Sequence, residues 1–408
     1  MQIPPSPAQV TKGSPEFARI RLALFLAGLS SFALIYCVQP LLPEFARHFG
    51  ISPPTASLAL SLTTGCLAVA IMVMGAWSQS LGRKKVMVVS MFAASALNLV
   101  IAFLPSWNGL LLARAAEGLV LGGVPAVAMA YLAEEIAPQD LGRAMGVYIG
   151  GTAFGSMVGR VGMGLLAEIG DWHLAMMVMG GLCLASAIGF ALLLPPSRNF
   201  QPQPRKGLGH HLRLWGGHLR NPLLQRLYFL GFCLTSIFVT VFNYATFRLS
   251  GAPYDLSPST VSLVFLAFLF GIVSSSVAGT LGDRMGRGPL LGAAFGTILM
   301  GVLVTLAAPV AATFVGIALI TTGFFIGHSV VSSAVGAAAS GAKGHASSLH
   351  LLFYYAGASV TGVIGGWFWQ HGGWPAVVGL TAAVAGLGLA ASVLDPHVAA
   401  TRRPRCHV

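Results

Sequence analysis

The sequence predicts an all-α membrane protein, with twelve transmembrane helices in two pseudo-symmetric six-helix bundles. Three observations predict it. Apolar residues make up 55% of the 408-residue chain and charged residues only 8%, too little charge for the surface of a soluble protein, so most of the surface must face lipid. Apolar runs of roughly 20 residues recur, each long enough at about 1.5 Å per residue to cross a hydrocarbon core of about 30 Å. A short basic glycine turn also occurs twice, from Gly75 through Gly82, Arg83, Lys84 and Lys85, and 204 residues later from Gly279 through Asp283, Arg284, Gly286 and Arg287. Both copies fall between the second and third spans of a half, so a six-span unit has been duplicated.

Residues 1–19 are Pro-rich and polar and read as a mobile cytoplasmic tail. The N-terminal bundle, 20–194, holds spans near 20–43, 55–80, 85–104, 109–135, 143–169 and 173–194. The first run is too long for a signal-peptide core and no small-residue cleavage site follows it, so it is expected to stay uncleaved. The stretch 195–223 carries Pro195, Pro196, Pro202, Pro204 and several basic residues, and reads as a cytoplasmic linker. Its histidines, His210, His211 and His218, have no neighbouring Cys or carboxylate and read as solvated surface rather than metal ligands. The C-terminal bundle, 224–394, holds spans near 224–249, 260–282, 288–308, 312–337, 344–370 and 373–394, and a cytoplasmic tail, 395–408, follows. Trp172 and Trp374 sit at matching places before the sixth and twelfth spans, as a second echo of the duplication and as outer-interface anchors. Gly151, Gly155 and Gly159 recur every four residues on span five, a spacing that lets helices approach closely and that also suits faces that slide during gating.

The net charge of +12 is not a nucleic-acid footprint. All but four of the 23 Lys and Arg residues fall in every second loop and the termini, the exceptions being Arg47, Arg114, Arg160 and Arg248. That alternation places both termini in the cytoplasm. The five cysteines show no metal or redox spacing, so neither a metal nor a cofactor is expected. Zincin, phosphate-loop and nucleophile-elbow motifs are absent from the sequence, which argues against a membrane-embedded enzyme or sensor.

The paired turns resemble the signature of the major facilitator superfamily, and Arg114-Ala-Ala-Glu117-Gly118 resembles its second motif. The span-five glycines resemble a third motif, associated with antiporters. Longer stretches, including Tyr36-Cys-Val-Gln39-Pro40, Tyr131-Leu-Ala-Glu134-Glu135-Ile and Phe242-Asn243-Tyr244, are similar to bacterial YnfM-type inner-membrane transporters related to the arabinose-efflux permeases. The resemblance implies a transporter working by alternating access in the bacterial inner membrane, functional as a monomer, with a small-molecule substrate and protons as the coupling ion. Two departures stand out. Gln79 occupies the Asp position of the first turn, which weakens a charge-locked gate there, and Ser156 and Arg160 replace a Pro and a Gly of the third motif.

Charges inside a span are costly, about 2.5–3.5 kcal/mol each on insertion scales, and so face protein or a water-filled cavity. Arg114 and Glu117 on span four and Arg160 on span five stand at one depth in an antiparallel hairpin. They are expected to form a single cluster open to the pathway, with Glu117 as proton acceptor. By family pattern the cavity is also lined by Tyr36 and Gln39 on span one and, from the opposing bundle, by Asn243, Tyr244 and Arg248 on span seven, His328 on span ten, and His350, Tyr354 and Tyr355 on span eleven. Asp283, Arg284 and Arg287 have the chemistry of a cytoplasmic gate. The expected activity is proton-coupled efflux of a small polar or anionic organic solute, with proton-symport uptake and multidrug efflux as alternatives.

Overall fold

The computed structural model describes residues 9–200, 207–339 and 341–393. The tail 395–408 and the side chains of Asp283 and Arg284 lie outside the described residues, so the gate expected there is not described. Helix follows helix among the described residues, with one isolated parallel bridge between Val10 and Ile136.

Two compact units divide the chain, one of residues 1–50 and 58–212, the other of 51–57 and 213–408. The first contains α1 (Pro15–Tyr36), a 3-10 turn (Gln39–Leu41), α2 (Leu42–Phe49), most of α3 (Pro53–Leu81), α4 (Arg83–Ile101), α5 (Trp107–Leu121), α6 (Ala128–Glu135), α7 (Pro138–Ile169) and α8 (Trp172–Leu193). A linker helix, α9 (Leu208–Leu219), straddles the boundary. The second unit contains α10 (Pro222–Ser250), α11 (Pro258–Ser262) continuing through a 3-10 turn into α12 (Phe268–Met285), α13 (Arg287–Val304), α14 (Val310–Ala338) and α15 (Lys343–Val393).

Among the described residues nine helices are long and apolar enough to cross a membrane, fewer than the twelve spans expected. The reasons are local. Expected span four is two pieces, α5 and α6, separated at 122–127 by Gly122, Gly123 and Pro125. Span five, α7, is diluted by glycine and by Asp140, Arg143 and Arg160. The last two expected spans run as the single element α15, turned at Gly373 (φ 59°, ψ −152°) ahead of Pro375.

Helix starts are set by side-chain caps. Ser14, Ser106 and Asp171 accept from Phe17, Gly109 and Leu174 backbone N–H groups at 3.2, 3.3 and 2.9 Å. The bond from Leu174 holds the Asp171 carboxyl below the ordinary carboxylate range. The duplicated turns share their backbone: Gly82 and Gly286 have φ of 88° and 83°, a region closed to most L side chains, and each starts the helix that follows.

Within the stretch read as tail, α1 begins at Pro15 and Val10 is held by backbone bonds. Val10 donates to the Glu135 carbonyl at 2.8 Å and accepts from Ala137 at 3.0 Å, and its side chain is buried. His211 is also buried rather than solvated. Trp172 and Trp374 are buried as well, Trp172 against Phe45 and Trp374 donating to the Thr305 carbonyl at 3.1 Å, so they pack protein rather than anchor lipid.

Glycine sets the closest helix contacts. A Cβ on Gly151 or Gly155 would lie 2.6 or 2.1 Å from the Phe25 or Leu29 carbonyl oxygen of α1, and one on Gly159 would lie 2.7 Å from Ala33 Cα. In the second unit Gly357 of α15 meets the Phe232 carbonyl of α10 in the same manner, at 2.4 Å. Gly155→Val must push α1 and α7 apart, because even its Cβ would lie 2.1 Å from the Leu29 carbonyl oxygen, and the loss expected is about 1–3 kcal/mol. A melting temperature in detergent equal to the parent's would contradict this packing.

Candidate functional site

In the first unit the polar side chains gather around the end of α1. Pro40 and Pro43 cannot donate backbone hydrogen bonds, and α1 gives way at Cys37 to the 3-10 turn. Carbonyls near a helix end need other donors. Arg114 of α5 supplies them: Nη1 donates to Leu34 O at 3.1 Å, Nη2 to Ile35 O at 2.8 Å, and Nε to Ala59 O of α3 at 3.1 Å. Nη1 also bonds Glu117 Oε2 at 2.6 Å, one helical turn along α5, with both side chains fully buried. Glu117 Oε1 accepts no hydrogen bond among the described residues.

Arg160 of α7 is held separately. Its Nε donates to Gln39 Oε1 at 2.6 Å, Nη1 donates to the Ser156 carbonyl at 2.8 Å, and the guanidinium lies 3.9 Å above the Tyr36 ring. The expected single cluster of Arg114, Glu117 and Arg160 is therefore corrected. Glu117 pairs with Arg114 and not with Arg160, and the two arginines attach to different parts of segment 34–39. Depth along a helix was readable; the rotation that turns Arg160 onto Tyr36 and Gln39 was not. All three charges are enclosed, with Arg160 1% exposed.

In the second unit His328 stacks on Phe324 with ring centroids 5.8 Å apart, and lies 5.0 Å from Tyr354 and 6.2 Å from His350. Tyr355 adjoins Tyr354 at 5.1 Å, and His350 Nε2 faces Ser332 Oγ at 3.4 Å. Tyr244 is placed apart from this group, its hydroxyl donating to the Gly362 carbonyl at 2.7 Å, a bond that ties α10 to α15. Asn243 is buried beside it in sequence, its carbonyl accepting from Thr246 at 2.6 Å. Arg248 stands at the far end of α10 over Trp374 and Tyr254, a loop-holding position.

The first basic turn is charge-tied after all. Without an Asp at position 79, Arg83 finds Glu134 of α6, with Nη2 to Oε1 at 2.7 Å and Nε 3.1 Å from the same oxygen, while Nη1 donates to Ser78 at 2.6 Å. Lys84 donates to the Leu194 carbonyl past the end of α8. Gly75 has open space around it, so no packing contact explains it. The sequence contained Glu134 but no spacing rule linking it to Arg83. A double-mutant cycle of Arg83→Ala and Glu134→Ala is expected to give a coupling of about 1–2 kcal/mol in thermal stability. Additive effects would show that the pair carries nothing.

A family model described as Major Facilitator Superfamily matches residues 24–358. The chain is 47% identical over 371 residues to the "Uncharacterized MFS-type transporter YybF" of Bacillus subtilis (strain 168), covering 91% of this chain and 92% of that one. It is 43% identical over 370 residues to the "Inner membrane transport protein YnfM" of Escherichia coli (strain K12), covering 90% and 88%. Among solved structures, the nucleoside transporter NupG matches with a TM-score of 0.75 at 14% identity, over 91% of this chain and 98% of that one. The human organic anion transporter MFSD10 matches with a TM-score of 0.70 at 17% identity, over 93% and 100%. Likeness at such identity shows the fold alone. Proteins of this family are membrane transporters of small molecules and not enzymes. By the family model and by these relatives, the chain belongs to the Major Facilitator Superfamily and is a multi-pass membrane transporter.

Proposed function

We propose that this transporter exports a small polar or anionic organic solute across the bacterial inner membrane in exchange for protons, as a monomer with both termini in the cytoplasm. The observation that carries the reading is Glu117, a fully buried acid with one oxygen on Arg114 and the other without a hydrogen-bond partner among the described residues. An acid kept inside a membrane bundle at such cost marks an ion or proton pathway. A proton arriving on Oε1 removes the carboxylate charge and weakens its hold on Arg114 Nη1, the group that also binds the end of α1. That end carries Tyr36 and Gln39, which hold Arg160. Proton binding at Glu117 thereby reaches the guanidinium, hydroxyl and amide that would meet the solute. The close glycine contacts between α1 and α7 are the surface along which this shift would run. Within the second unit, His328, Asn243, Tyr354 and Tyr355 form a separate set of neutral polar groups suited to a solute.

Two measurements test this. A thermal-shift screen of the purified protein against organic acids, sugars and cationic drugs is expected to favour acids. Everted membrane vesicles are expected to accumulate the selected acid when acidified inside. Stabilisation by cations alone would replace this reading with multidrug efflux, and accumulation only in right-side-out vesicles would replace export with proton-symport uptake.

A further inference from the structure

Where α1 begins, α4 begins and α8 ends, two cavities of about 540 and 430 Å³ adjoin, sharing Lys84 and Pro196. The larger is lined by Arg19, Lys84, Arg198 and Glu16, the smaller by Arg83, Lys84 and Lys85. Two of these cations are neutralised, Arg198 by Glu16 at 3.2 Å and Arg83 by Glu134. Among the described residues Arg19 donates only to the Leu192 carbonyl at 3.5 Å, and Lys84 only to the Leu194 carbonyl. Among the described residues, Arg19, Lys84 and Lys85 have no carboxylate within ion-pair reach. The side chains outside the described residues include two acidic ones, Asp283 and Asp395, against six basic ones, Arg205, Lys206, Arg284, Arg402, Arg403 and Arg405. Basic side chains are therefore in excess at this edge, and an anion supplied from outside the chain would neutralise them.

Apolar side chains adjoin the same cations. Val89, on the wall of the smaller cavity, is 59% exposed and Leu192, on the wall of the larger, is 74% exposed, positions that face acyl chains in a membrane protein. We propose that this edge is a binding site for a phosphate-bearing amphiphile, an anionic phospholipid of the adjacent leaflet, with its phosphate at Lys84, Lys85 and Arg19 and its chains along Val89 and Leu192. Basic groups at a membrane surface each contribute about a kcal/mol of attraction to anionic lipid. The two lysines together should then account for roughly a 25-fold difference in affinity.

The test is native mass spectrometry of the full-length protein in detergent, titrated with phosphatidylglycerol. The parent is expected to retain one phosphatidylglycerol more tightly than the rest, and Lys84→Gln with Lys85→Gln to weaken that lipid by ten-fold or more. Lys85→Gln alone, at an exposed side chain with no hydrogen bond or ion pair among the described residues, is expected to keep the fold and weaken the lipid about five-fold. Phosphatidylcholine should not compete, and millimolar inorganic phosphate should not displace the lipid. Equal retention by the double variant would overturn the site, and full displacement by inorganic phosphate would make free phosphate the ligand and overturn the lipid.

Discussion

Arg114→Ala is expected to destabilise the protein by about 3–5 kcal/mol, the largest effect of any single side chain described above. The substitution removes the partner of a fully buried carboxylate and strips hydrogen bonds from three carbonyls, Leu34, Ile35 and Ala59. The cost comes from what is left behind: a buried anion without its ion-pair partner, and carbonyls that each lose a donor, Leu34 keeping Cys37 Sγ and Ala59 keeping Thr63 Oγ1. Thermal unfolding in detergent should show it as a lower midpoint. Adding Glu117→Gln to Arg114→Ala should recover part of the loss, because the stranded charge is gone. A single variant as stable as the parent, or a double variant worse than the sum, would contradict the clamp.

Arg160→Lys is expected to cut transport at least ten-fold while shifting the melting midpoint little. A planar guanidinium can lie on the Tyr36 ring and donate in its plane to Gln39 Oε1 and the Ser156 carbonyl together. An ammonium keeps the charge but cannot meet all three. Arg160→Ala should abolish transport, and flux normalised to the protein inserted in proteoliposomes checks both. Transport by the lysine variant at the parent's rate would reduce Arg160 to a bulk charge and remove the case for a shaped solute site.

The duplication was legible because a turn needing positive φ has a sequence mark, and Gly82 and Gly286 carry it in both halves. The α1–α7 contact was legible for a similar reason, since glycines at spacing four serve one face of one helix. Pairings across helices were not. Arg83 with Glu134, and Arg160 with Gln39, depend on how helices rotate against each other, and a span read as a straight rod carries depth without azimuth. The breaks in α1 and in expected span four compounded the error, because Pro40, Pro43 and Pro125 were in view but their effect on neighbouring partners was not.

The most direct test of the coupling claim is proton movement on adding solute to proteoliposomes, compared between the parent and Glu117→Gln. Glutamine keeps the size and an oxygen for Arg114 but cannot take up a proton at that site. The parent should move protons against the solute, and its transport rate should vary with pH. Glu117→Gln should keep solute binding and exchange yet show neither proton movement nor pH dependence. If the glutamine variant still moves protons with solute at the parent's ratio, the proton travels elsewhere and the role given to Glu117 is wrong.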